Sequence, residues 1–174
     1  MTNQPVPVPE SYWVIPGLFL AGEYPIREDI EESIQRINAY LDSGIDTFIN
    51  LTEMGELVPY ESFLQENARN KGITITCHRF PIVDYGLPST ETMKTILDTI
   101  DNTLAGNHKI YLHCWGGVGR TGTTVGCYLV RHGKTGEEAL SQIAEWWKTV
   151  PKSSIFPQSP ETKAQQRFIL NWKE

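Results

Sequence analysis

The sequence predicts an α/β domain, with a central, mainly parallel sheet of four or five strands and helices on both faces. Three observations carry this. Short apolar runs at 45–51, 73–80 and 109–113 alternate with stretches whose apolar residues recur every three or four positions. The run Ile110-Tyr111-Leu112 leads into a glycine-broken loop and then a helical stretch, 123–132, a strand-loop-helix unit. The length of 174 residues, 40% hydrophobic and 21% charged, suits one domain able to bury a sizeable core.

In chain order, residues 1–10 carry three prolines and no periodicity, and read as an extended leader before a domain over 11–174. Tyr12–Ala21 holds two apolar runs split by Pro16-Gly17, a hairpin with a turn wider than the tightest kind. Arg27–Leu41 places Ile30, Ile34, Ile37 and Leu41 on one helical face, with acids in the first turns. Ile45–Leu51 is a strand, and Thr52–Glu56 a loop at its C-terminal end, where Glu53 and Glu56 read as solvent-facing acids. Tyr60–Asn70 is a second helix. Ile73–Phe80 is another strand, in which His78 and Arg79 are expected to face solvent, followed by a proline- and glycine-rich loop to Pro88. Ser89 caps a helix whose buried stripe is Met93, Ile96, Leu97, Ile100 and Leu104. Beyond the 109–113 strand and its loop, Thr121–His132 forms a helix in which Gly122 and Gly126 are expected to pack closely on the sheet. Thr135 opens the next helix, buried through Ala139, Leu140, Ile143, Ala144 and Trp147. A last helix is expected to open at Ser159-Pro160 and run to Trp172, burying Ala164, Phe168, Ile169 and Trp172.

The chemistry concentrates between His113 and Gly122. Five residues separate Cys114 from Arg120, enough to wrap a loop once around a small anion. Gly116, Gly117 and Gly119 let backbone N–H groups turn inward, and the following helix adds its positive end. Arg120 offers a planar fork matched to two phosphate oxygens. The same field is expected to lower the Cys114 thiol below about 8.5. A buried thiol at a strand end is the plainer reading of the cysteine. A nucleotide-binding loop would need Lys where Arg120 stands.

His113-Cys114 followed by Gly119-Arg120-Thr121-Gly122 resembles the active-site loop of the cysteine-dependent protein tyrosine phosphatase superfamily. The Trp115-Gly116-Gly117-Val118 interior and the short chain look like its compact dual-specificity branch, and within it the kinase-associated and bacterial members. The resemblance implies a phosphomonoester hydrolase acting through a phosphocysteine intermediate. Cys114 would be the nucleophile. Arg120 and the loop residues Trp115, Gly116, Gly117, Val118 and Gly119 would bind the phosphoryl group. His113 would brace the loop, and Thr121 could donate to the sulfur. From the residues alone, Asp84 is only one nominee for a proton donor and Asp46 a rival; Phe80-Pro81-Ile82-Val83-Asp84 resembles the family's general-acid loop and so points to Asp84. The resemblance also implies a glutamine near the start of the last helix that could orient water, with Gln165 the better match by offset and Gln166 its neighbour; an ordinary helix-surface glutamine is the equal alternative.

No metal or cofactor is expected, because the loop supplies the positive field itself. Extra lysines, which often accompany polyphosphorylated inositol lipids in similar proteins, are missing from the loop. Phosphotyrosine, then phosphoserine or phosphothreonine, on proteins is the leading substrate class. A small-molecule phosphatase for an inositol phosphate or nucleotide, and a non-catalytic phosphate-binding module, are the competing readings. A net charge of −6 disfavours nucleic acid and anionic membranes. Three cysteines without metal spacing fit a reducing, cytoplasmic setting, and a redox role for Cys77 stays open; a monomer is the favoured oligomeric state.

Overall fold

A computed structural model describes residues 4–174. Residues 1–3 of the expected leader lie outside the described residues. The rest of the leader packs against the domain: Val8 is buried, and Trp13 Nε1 donates to the Pro5 carbonyl at 3.1 Å.

Five strands form one sheet in the order β1 (Ser11–Ile15), β2 (Phe19–Gly22), β5 (Ile110–His113), β3 (Thr47–Asn50), β4 (Thr76–Arg79). β1 and β2 make the hairpin, antiparallel, with Gly17 at φ 75 in its turn; all other neighbours are parallel. The helices are α1 (Ile30–Asp42), α2 (Glu61–Asn70), α3 (Thr90–Ala105), α4 (Gly119–Arg131), α5 (Gly136–Trp147) and α6 (Lys163–Leu170). Successive strand residues point to opposite faces. Phe48, Tyr111 and Leu20 join Ile37, Tyr40 and Leu64 of α1 and α2 on one face. Ile49, Leu112 and Phe19 join residues of α3, α4, α5 and α6 on the other. The expected two-sided α/β architecture is therefore present.

Register places the site. Gly22, His113, Asn50 and Arg79 align across the C-terminal edge of the sheet. The segments that follow them, beginning at Glu23, Cys114, Leu51 and Phe80, therefore all emerge at that edge, where open α/β sheets bind ligands.

Several local expectations are corrected. Helix α1 starts at Ile30 behind an Asp29 cap, and Ile30 is 67% exposed. Its buried face instead carries Ser33, Arg36, Ile37, Tyr40 and Leu41, because Arg36 reaches in to Glu23 and the Pro25 carbonyl. Helix α6 starts three residues late, at Lys163, capped by Thr162 in a capping box with Gln165. Ser159 donates instead to the Val118 carbonyl at 2.7 Å, and Gln165 is buried while Ala164 is exposed. Ala144 of α5 is likewise exposed. A Cβ on Gly126 would sit 2.2 Å from Ile169 Cδ1 and one on Gly122 2.4 Å from Ser159 Oγ, so these glycines of α4 admit α6 and the segment before it rather than the sheet. Cys127 is buried as expected, and partial burial on edge strand β4 pushes the Cys77 thiol up to about 11.

Candidate active site

The loop 114–118 joins β5 to α4, and its shape follows from where its carbonyls go. The Cys114 carbonyl lies 3.1 Å from His113 Nδ1, and that of Trp115 accepts from the Tyr24 amide at 2.8 Å. Lys152 Nζ donates to the Gly116 carbonyl at 3.0 Å, and the Ser159 hydroxyl to that of Val118. These four carbonyls are thus held by groups outside the loop. The amides of Trp115 to Val118 have no protein acceptor among the described residues. Peptide geometry then turns those donors toward the loop's hollow, a nest for an anion. Gly117 makes the wrap possible: its φ is 73, and a Cβ there would meet the Gly22 backbone at 2.6 Å.

Cys114, Trp115, Gly116, Val118, Gly119, Arg120 and Asp84 line one cavity of about 290 Å³. Cys114 is only 3% exposed, yet it lines the cavity rather than being sealed in hydrocarbon. Four other expected site residues stand behind that wall. His113 is fully buried, and burial drives its imidazole down to about 3. The ring is neutral, so Nδ1–H donates to the Cys114 carbonyl and Nε2 accepts from the Tyr60 hydroxyl at 2.7 Å. Gly117 rests on Gly22. The Thr121 hydroxyl faces the Gly22 carbonyl at 3.4 Å. The Gln165 amide is spent on the Thr162 amide at 3.1 Å and, at 3.4 Å, on the Gly86 carbonyl, which ties α6 to the Asp84 loop. Gln166 donates to the Pro160 carbonyl.

Arg120 is the electrostatic centre. Its Nη1 donates to the Ile82 carbonyl at 2.9 Å and to Glu56 at 2.8 Å; its Nη2 donates to Glu56 at 2.7 Å. Glu56 therefore grips the guanidinium end-on, which corrects its reading as a solvent-facing acid. The Nε–H and one Nη2 hydrogen make no hydrogen bond among the described residues. That side-on pair is a free donor edge whose spacing matches two oxygens of an anion. Asp84 Oδ1 lies 3.0 Å from Nη2 as an ion pair without hydrogen-bond alignment. Burial works against the charge on Arg120; the hydrogen bonds and charge of Glu56, with the nearby Asp84 charge, outweigh it, leaving the group more basic than usual. The same hydrogen bonds hold Glu56 below the ordinary carboxylate range.

Residues that sequence reasoning missed complete the frame. Arg79, expected in solvent, donates to the Thr52 and Glu53 carbonyls and so holds the Glu56 loop. Glu23 is buried and pairs with Arg27, Arg36 and Lys152. Lys152, from the 3-10 turn Pro151–Ser154, thus brings a second cation to the cavity already neutralised. Glu161 lines the opposite wall, its carboxyl raised by burial and by the charge of Asp84. Tyr85 and Phe156 complete the mouth with Trp115. Asp46, the rival acid, sits at the far end of β3 and pairs with His108.

The family model of the Swiss Army Knife protein, DSP-PTPase phosphatase domain, matches residues 9–169. Tyrosine-protein phosphatase cdc-14 of Caenorhabditis elegans is 29% identical over 164 residues, 90% of this chain and 21% of that protein. Cyclin-dependent kinase inhibitor 3 of Rattus norvegicus is 33% identical over 106 residues, 59% of this chain and 49% of that protein. The chain thus spans between a fifth and a half of these relatives. The crystal structure of Tk-PTP in the active form superposes with a TM-score of 0.67 at 22% identity, covering 93% of this chain and 94% of that one, and shares the fold.

Proposed function

Because the chain belongs to the DSP-PTPase phosphatase domain family, we propose that it hydrolyses phosphate monoesters on proteins through a phosphocysteine intermediate. One observation carries this reading: a thiol on the floor of a cavity framed by unpaired loop amides and the free edge of Arg120.

Two steps follow from these residues. The phosphoryl oxygens occupy the amide nest and the Nε/Nη2 edge of Arg120, while Glu56 keeps the guanidinium from turning. Cys114 thiolate attacks phosphorus, the phosphorus–oxygen ester bond breaks, and protonated Asp84 gives its proton to the departing oxygen. Asp84 must leave Nη2 to do this, and the incoming dianion competes for that nitrogen. Water then attacks phosphorus, the sulfur–phosphorus bond breaks, and Asp84 carboxylate takes the water's proton. Amides and guanidinium stabilise the charge on the equatorial oxygens throughout.

The mouth favours a phenolic ester. Tyr85, Trp115 and Phe156 offer aromatic faces to a phosphotyrosine ring. Lys152 is held by Glu23, so the cavity has one available cation, suited to a monophosphate. No helix among the described residues is long and apolar enough to cross a membrane. A reducing compartment, the cytoplasm in our reading, suits a nucleophile that must stay a thiol.

Cys114→Ser is the direct test. It should abolish phosphate release from p-nitrophenyl phosphate and from a phosphotyrosine peptide, yet still bind the peptide. Turnover equal to wild type would remove Cys114 as nucleophile. Release from inositol phosphates or nucleotides but not from phosphopeptides would move the substrate class to small molecules.

A further inference from the structure

Beside the catalytic mouth lies a second hollow of about 560 Å³, walled by Tyr24, Ile26, Leu57, Val58 and Trp115. Trp115 is common to both cavities and so lies between them. The groove is joined to the phosphate loop by backbone: the Tyr24 amide donates to the Trp115 carbonyl at 2.8 Å. The Tyr24 hydroxyl donates to the Val58 carbonyl at 2.8 Å, stitching the far wall to the same residue. Its position relative to Cys114 is therefore set by hydrogen bonds. Val58 is 73% exposed and Trp115 57% exposed, so the groove presents apolar surface to solvent beside the site. Its one cation, Arg27, is paired with Glu23 and Glu32, and Glu28 stands at its edge. Such a lining repels acidic lipid headgroups and offers nothing to a second phosphate.

We propose that this groove is a specificity subsite that receives a large apolar side chain of a phosphopeptide, close in sequence to the residue whose phosphate enters the Cys114 cavity. The proposal rests on the phosphoprotein reading above. An extended peptide advances about 3.4 Å per residue, so a side chain one or two positions from the phosphorylated residue clears the thickness of one indole ring. A leucine or phenylalanine there exchanges water for the Ile26, Leu57 and Val58 walls. Val58 is the lever, since its side chain is exposed and it bonds Tyr24 only through its backbone.

The test measures kcat/KM for p-nitrophenyl phosphate and for phosphotyrosine peptides carrying Leu, Ser or Asp at each of the two positions on either side. Wild type should favour Leu over Asp about tenfold at one position. Val58→Asp and Ile26→Ser should erase that preference while leaving p-nitrophenyl phosphate turnover unchanged. Equal rates for every neighbour, with normal p-nitrophenyl phosphate turnover, would overturn the subsite and leave the phosphatase standing. A preference that survives in both variants would also overturn it. Absence of any Cys114-dependent turnover would instead remove the phosphatase reading on which the subsite depends.

Discussion

Replacing Glu56 with glutamine keeps the shape of the side chain and removes its charge from Arg120. The arginine side chain is 1% exposed and the glutamate 16%, and the two are joined at 2.7 and 2.8 Å. Removing one partner of a fully buried pair costs roughly 3–5 kcal/mol. Here Asp84, 3.0 Å from Nη2, remains as a partial counter-charge and Glu56 keeps some solvent, so the loss should be about 2 kcal/mol. For a domain of this size that lowers Tm by about 4–8 °C. The pH dependence gives an independent reading. Glu56 has a depressed carboxyl in the fold. Its stabilisation is present above its ordinary value of 4.5 and is lost as pH falls below that through the depressed value. Glu56→Gln should remove that acid limb. It should also lower kcat about tenfold to hundredfold, because a guanidinium free to turn misplaces its Nε edge. The assays are urea denaturation across a pH series and steady-state kinetics, with exposed Glu53→Gln as the control. If Glu56→Gln matches wild type in both stability and kcat, or is faster, the end-on grip does not position Arg120.

Three further outcomes are expected. Asp84→Asn should lose about 10²–10⁴ in rate on an ester with a poor leaving group and far less on p-nitrophenyl phosphate; equal losses would take the proton transfer away from Asp84. Gly117→Ala should disrupt the loop, since it combines a left-handed φ with a 2.6 Å approach to the Gly22 backbone, and a well-folded, fully active variant would refute that packing. Tyr60→Phe leaves His113 Nε2 buried without a donor, a loss of about 1–3 kcal/mol. His113 falls from an ordinary 6.5 to about 3 in the fold, so its burial costs stability as pH drops from 6.5 toward 3 and none above 6.5. Without Tyr60 the ring should protonate more readily, and nuclear magnetic resonance titration should show its value rising.

Much of this was readable from the chain alone because it is local. Strand, glycine-broken loop and helix from Ile110 to Arg131 are contiguous, and so are the thiol, the loop amides and the guanidinium they bring together. The alternation of elements likewise anticipated a two-sided sheet. Cap positions were less legible. Thr162 and Ser159 are both reasonable caps, and the choice fell to the Val118 carbonyl, which claimed the Ser159 hydroxyl. The α1 stripe went astray for a related reason: Arg36 reads as solvent-facing until a buried Glu23 lies opposite it.

What the sequence by itself determined is the short-range chemistry, since the thiol, the loop amides and the guanidinium lie within one contiguous stretch, residues 114–120. Only the tertiary structure decided which distant charges meet that loop. Strand order β2-β5-β3 sets Glu23 on one side and Glu56 on the other, and chain folding brings Lys152 and Glu161 to the walls. Charged side chains carry no periodicity that announces a partner; whether one faces water or a buried guanidinium depends on the position of a group dozens of residues away.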